Sequence, residues 1–182
     1  QSGAVDPSFV MSINLSAQQF QSRDLVGGID HILANTGVQP QHLDLEITES
    51  VIMDGLKPTM STLRQLKGRH IKLSLDDFGT GYSSLSYLHA FPFDVLKIDK
   101  SFVQRLDCAT ESTNLVPAIM AIAHTMNINV IAEGIETTQQ LNQLQALGCP
   151  LGQGYFFAKP MPAQDLQNQL MAPFIHAPVC HP

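Results

Sequence analysis

The chain has 182 residues and carries 10 Lys+Arg against 16 Asp+Glu, a formal charge of -6, with 44% apolar residues. That length and apolar fraction suit one soluble globular domain with a real core and exclude a disordered chain, while the acidic balance disfavours a general nucleic-acid binder or a surface drawn to anionic membranes. No apolar run reaches the ~18 residues of a membrane span, and three Cys without a C-x-x-C pair argue against a disulfide framework or a zinc site.

Strand and helix signals alternate along the chain. Phe9, Met11, Ile13 and Leu15 alternate with Val10, Ser12 and Asn14, which predicts a first strand. Ser16 and Gln19 then make a capping-box pattern, and Leu25, Val26, Ile29, Ile32 and Leu33 keep helical spacing up to Gly37. A second strand is expected over 43–47, followed by a helix with Met60, Leu63 and Leu66 that ends near Gly68. A third strand over 71–77 leads into a Gly-rich turn and a short helix around 85–88, and a fourth strand covers 95–99. The next helix spans roughly 112–126, with Pro117 tolerable only in its first turn. A fifth strand covers 130–133, after which Thr137 and Gln140 cap a helix built on Leu141, Leu144 and Leu147 and stopped by Gly148. A last strand is expected over 154–157, before Pro160, Pro162 and a final helix near 164–171. Arg64, Lys67 and Arg69 read as a solvated helix face, and His176, Cys180 and His181 as part of an untethered tail.

Such alternation means a parallel sheet, either doubly wound or a barrel. The polar residues favour the barrel. Asn14, Glu46, Asp76 and Lys97 fall at or near the C-terminal ends of four strands. Each is in phase with a less apolar face (Ser12, Asp44, Ser74, Val95) and out of phase with a row of aliphatics, while Glu133 ends a fifth strand. A barrel carries its chemistry on that rim, and no G-x-G-x-x-G follows the first strand as in an open dinucleotide-binding sheet. A whole barrel has eight strands in ~250 residues. The expectation is therefore an α/β, TIM-like barrel whose missing part lies ahead of Gln1, with a domain over residues 1–172 and a tail over 173–182.

Asn14, Glu46, Asp76, Asp77 and Glu133 are hard oxygen ligands on one expected rim. Gathered carboxylates repel one another unless a cation lies between them, and Mg²⁺ or Mn²⁺ is the natural choice. The adjacent Asp76 and Asp77 would allow two ions to be bridged, as in hydrolysis of phosphate esters, with Lys97 beside them as a point charge or proton donor. Other motifs fail. Asp77-Phe78-Gly79 lacks the companion kinase motifs, Gly79-Thr80-Gly81 is not followed by Lys-Ser/Thr, and Ser83 and Ser84 have no His partner in any plausible order.

Taken together, the segments Asn14-Leu15-Ser16, Leu45-Glu46-Ile47-Thr48-Glu49, Asp76-Asp77-Phe78-Gly79-Thr80-Gly81-Tyr82-Ser83-Ser84-Leu85, Lys97-Ile98-Asp99, Ala132-Glu133-Gly134-Ile135-Glu136-Thr137 and Gln153-Gly154-Tyr155 resemble the EAL-domain family of bacterial cyclic di-GMP phosphodiesterases. The resemblance implies a TIM-like barrel that hydrolyses cyclic di-GMP to linear pGpG with Mg²⁺ or Mn²⁺. It implies metal binding by Asn14, Glu46 and Asp76, and a second ion held by Asp76 and Asp77 with help from Glu133. Lys97 would orient or deprotonate the attacking water, and Glu136 and Gln153 would line the substrate site. Glu49 would anchor the loop from Asp77 to Ser84, which the family uses to couple dimerisation to metal binding. The Glu-Ala-Leu tripeptide that names the family is absent from the 182 residues. A weakly active or inactive fragment of a longer enzyme is therefore expected, associating as a homodimer, with GGDEF or sensory domains attached outside this chain. The expected location is the cytoplasm, with inner-membrane anchoring of a longer protein left open. Two other readings compete: a cyclic di-GMP-binding module without turnover on the same fold, and an enolase-like proton abstraction by Lys97 beside an acidic metal site.

Overall fold

Strand and helix alternate in the computed structural model, which describes residues 9–53, 56–80, 88, 90–107 and 115–171. The strands are β1 (Met11–Asn14), β2 (Leu43–Thr48), β3 (Lys72–Phe78), β4 (Val95–Ile98), β5 (Asn129–Ala132) and β6 (Leu151–Gly152). The described helices are α1 (Ala17–Phe20), α2 (Leu25–Thr36), α3 (Glu49–Met53), α4 (Leu56–Lys67), α5 (Lys100–Gln104), α6 (Val116–Thr125), α7 (Thr138–Ala146) and α8 (Ala163–Met171). All neighbouring strands are parallel, and they lie side by side in chain order from β1 to β6. A doubly wound sheet would reverse that order at a switch point. Uninterrupted order with helical crossovers is barrel winding. Among the described residues the barrel is open, with β1 and β6 each paired on one side only.

Strand alternation sorts the side chains. Leu45, Ile47, Leu73, Leu75, Leu96, Ile98, Val130 and Ala132 are buried and form one cluster with Leu63, Leu66, Val116, Ile119, Ala123 and Leu144 of the helices. The opposite face carries Asp44, Glu46, Ser74, Asp76 and Lys97, all buried. Burying that many polar groups is costly unless each is paired, and the pairing defines the site below. At the open edges, Met11 and Ile13 of β1 are 45% and 50% exposed and Leu151 of β6 is 55% exposed.

Local signals act as their chemistry predicts. Ser16 and Thr137 each complete a capping box, with Gln19 and Gln140, and Pro117 sits in the first turn of α6. Gly37 ends α2 in the left-handed conformation at φ 71°.

Three expectations change. The run from Ser16 to Gly37 is two helices, because α1 stops after burying Phe20 and α2 starts afresh at Asp24, leaving Ile32 60% exposed. The last strand is Leu151–Gly152, and 154–157 is a turn. There the Phe157 and Ala158 amides donate to the Gly154 carbonyl, and the Phe156 amide donates to that of Ile135. A Cβ at Gly154 would lie 2.2 Å from the Ile135 carbonyl oxygen, so the chain is pressed against the preceding loop and cannot continue a ladder. Lys67 and Arg69 are not free in solvent either. Lys67 donates to both carboxylate oxygens of Asp94 at 2.6 and 2.7 Å, and Arg69 forks onto Asp30. The short helix expected at 85–88, the start of the helix at 112–114, Ser83, Ser84 and the tail residues His176, Cys180 and His181 lie outside the described residues, Leu88 excepted. No helix among the described residues is long and apolar enough to cross a membrane.

Candidate active site

Register steps the polar strand ends along the C-terminal rim of the sheet. Asn14 of β1 lies beside Glu46 of β2, Thr48 beside Asp76 of β3, and Lys97 of β4 beside Ile131 of β5, two residues short of Glu133. Three carboxylates converge on one ammonium: Lys97 Nζ lies 2.7 Å from Glu46 Oε2, 2.6 Å from Glu133 Oε1 and 3.5 Å from Asp76 Oδ1. The Lys97 side chain is 3% exposed. Its burial alone would depress the ammonium's pKa, but hydrogen bonds to Glu133 and Glu46 outweigh that and hold it above the ordinary lysine value. Glu133 is pushed up as well, by burial foremost, with repulsion from Asp76 and Glu46 set against Lys97.

Asp77 sits at the end of β3 with φ 56°, where the β3–β4 register shifts. Its amide donates to Asp76 Oδ1 at 3.0 Å, and its carbonyl accepts from the Thr80 hydroxyl at 2.8 Å. Burial, then the charges of Asp76 and Asp99, raise its carboxyl above the ordinary value against Lys97 and Lys100. Glu49 opens α3, and its Oε2 accepts from the Gly79 amide at 3.4 Å, while Oε1 is buried without a partner among the described residues. That bond ties β2's far end to the start of the loop named for it in the sequence.

Asn14, Glu136 and Gln153 are exposed at the rim. The Glu136 amide donates to Gln140, and the Gln153 backbone is bolted to the loop bearing Glu133, its amide donating to the Ala132 carbonyl and its carbonyl accepting from Ile135. The structure thus gathers Glu46, Asp76, Glu133 and Lys97, sets Asp77 and Asn14 next to them in the chain and the register, and leaves the Glu136 and Gln153 side chains outside the ion-pair cluster.

A second polar layer lies beneath. Asp44 Oδ2 accepts from Ser74 Oγ at 2.6 Å and from Ser12 Oγ at 2.9 Å, joining β1, β2 and β3 under the rim. Its Oδ1 is buried without a partner among the described residues. Sequence reasoning placed these residues on the right face but gave them no role; the signal was a charged residue two positions before Glu46, with serines in phase on both flanking strands.

Among the described residues, no group of three or more His, Cys, Asp or Glu is arranged to hold a metal ion. The donor chemistry nevertheless fits Mg²⁺ or Mn²⁺. It is oxygen only, and its negative charge exceeds what Lys97 neutralises.

The pattern of the EAL domain family matches residues 1–160. The chain is 41% identical over 156 residues to the bifunctional diguanylate cyclase/cyclic di-GMP phosphodiesterase MucR of Pseudomonas aeruginosa, covering 86% of this chain and 23% of MucR. A solved MucR phosphodiesterase–cyclic di-GMP complex superposes with a TM-score of 0.82 at 41% identity, over 86% of this chain and 64% of that one. A manganese/cyclic di-GMP complex of Klebsiella pneumoniae BlrP1 superposes at 0.77 with 30% identity, over 85% and 40% of the two chains. Agreement in sequence over most of the chain, carried into three dimensions, leads to one assignment: this chain belongs to the EAL domain family.

Proposed function

We propose that the protein containing this chain hydrolyses one phosphodiester bond of cyclic di-GMP, giving linear pGpG, with Mg²⁺ or Mn²⁺. The observation that carries the reading is the convergence of Glu46, Asp76 and Glu133 on Lys97 at the C-terminal ends of parallel strands. MucR, of which this chain spans 23%, bears the same activity in its name. Asn14, Glu46 and Asp76, with Asp77 and Glu133 for a second ion, would hold the metal, whose chemistry is to polarise a phosphoryl oxygen and lower the pKa of water. With those oxygens on a metal, Lys97 would be left to face the reacting phosphate. The carboxylates that hold the ammonium's pKa up are the ones that would take the metal, so at that point Lys97 orients or deprotonates the attacking water. Glu49 holds the loop after β3 through the Gly79 amide, and Glu136 and Gln153 face substrate at the rim.

The test is incubation of the full-length protein with cyclic di-GMP and Mn²⁺, with pGpG followed by ion-exchange chromatography. We expect turnover that chelator abolishes, and a loss of at least about 100-fold in Asp76→Asn or Glu46→Gln. Full activity of either variant in excess chelator would overturn the metal reading. A second reading, a cyclic di-GMP-binding module without turnover, is favoured by the occupation of the carboxylate centre by Lys97; binding by the full-length protein with no pGpG would select it.

A further inference from the structure

We infer that Lys100 is a substrate-binding residue whose ammonium holds the non-reacting phosphate of a cyclic dinucleotide while the other phosphate lies over Glu46, Asp76 and Glu133. The inference rests on the phosphodiesterase reading above. Lys100 is the first residue of α5, immediately after β4 and three residues beyond Lys97, and it is exposed. Its stem lies against the loop that bears Glu133: a Cβ built on Gly134 would stand 2.4 Å from Lys100 Cβ and 3.7 Å from its Cγ. On the other side its charge is felt by Asp77, partly offsetting repulsion from Asp76 and Asp99. The root of the side chain is therefore packed on the loop that bears Glu133, and its charge lies near enough to Asp77 to act on it.

The other cations nearby are committed elsewhere. Lys97 is committed to the carboxylates and the reacting phosphate, Lys67 and Arg69 are paired with Asp94 and Asp30, Lys159 stands 5.9 Å over the Tyr155 ring, and Lys72 begins β3 at the opposite end of the sheet. Lys100 forms no ion pair among the described residues. A cyclic dinucleotide carries two phosphodiester charges, and the second needs a counter-charge outside the acidic cluster. Lys100 supplies one within a short reach of the first.

A contact to a non-reacting phosphate is the same in the ground and transition states, so its loss raises KM and leaves kcat in place. In the full-length protein, Lys100→Ala should raise KM for cyclic di-GMP about tenfold with kcat changed less than about twofold, and Lys100→Arg should restore KM. Bis(p-nitrophenyl) phosphate, which has a single phosphate, should be cleaved alike by wild type and Lys100→Ala. An unchanged KM in Lys100→Ala would overturn the inference, and so would a fall in kcat on both substrates, which would make Lys100 a partner of the carboxylates. Failure of Lys100→Arg to restore KM would assign the effect to packing on Gly134 and overturn it too. A wild-type protein that leaves cyclic di-GMP intact overturns the phosphodiesterase reading itself, whatever the variants do.

Discussion

Lys97 shows how a single residue can be both the centre of a site and a structural requirement. Its ammonium is shared among three carboxylates within 3.5 Å, at 3% side-chain exposure. Breaking a buried charge cluster by removing one sign typically costs about 3–5 kcal/mol, because the remaining charges stay buried and unpaired. We expect Lys97→Met to lose stability in that range near neutral pH and to lower kcat far more than it raises KM. The sign with pH follows from the carboxylates. Without Lys97 the Glu133 carboxyl, already raised by burial, loses the charge that holds it down and rises further, and an acid raised in the folded state stabilises only while protonated, so the deficit should grow as pH increases. Urea unfolding of wild type and variant at about pH 4.5 and about pH 7.5 measures it; a deficit larger at the acidic value would sink the account. Asp44 makes a smaller claim. Asp44→Ala strands the Ser12 and Ser74 hydroxyls and should cost about 1–3 kcal/mol, whereas Asp44→Asn keeps an acceptor for them and should cost less. Equal losses in the two variants would show that the hydrogen bonds are not what Asp44 contributes.

At the level of elements, the loop between β5 and α7 is held from both ends. Thr137 and Gln140 cap α7, and Gln153 and Gly154 clamp the loop from β6. The two devices differ in kind, which separates their expected effects. Thr137→Ala removes a cap and should cost about 1 kcal/mol with little change in turnover. Gly154→Ala forces a methyl into the Ile135 backbone, 2.2 Å from its oxygen and 2.3 Å from its nitrogen. Backbone cannot rotate aside, so we expect a loss above about 2 kcal/mol and a lowered kcat, because the displaced loop carries Glu133. Thermal melts with activity assays check the pair, and a Gly154→Ala protein as stable as Thr137→Ala would refute the close-approach argument.

At the scale of the whole molecule, the described sheet is an arc with two edges. β1 exposes Met11 and Ile13, β6 exposes Leu151, and Tyr155, Phe156 and Phe157 add 58%, 40% and 52% exposed aromatics beside it. Unpaired parallel edges flanked by apolar side chains associate with other strands. We therefore expect these 182 residues in isolation to form at least a dimer by light scattering, and Ile13→Lys with Leu151→Lys to shift that species toward monomer. A monomeric wild-type chain at high protein concentration would rule this out. The same openness makes weak turnover the expectation for the isolated chain, measured beside the full-length protein.

Much of this architecture follows from local chemistry: two capping boxes, a glycine stop at Gly37 and period-two alternation identify β2 to β5 and most helices without any partner in view. In-phase polar residues likewise place Glu46, Asp76 and Lys97 on one face, because a strand's side chains alternate whatever it packs against. Other features depend on residues distant in sequence. Phe20 ends α1 by finding the core, and the Ile135 backbone turns 154–157 out of the sheet. Lys67 and Arg69 find Asp94 and Asp30 only once the helices have packed. The choice of Lys97 Nζ as the point where Glu46, Asp76 and Glu133 meet is of the same kind, since it is made by register across β2 to β5 and by burial. Neither register nor dielectric is written in any one segment.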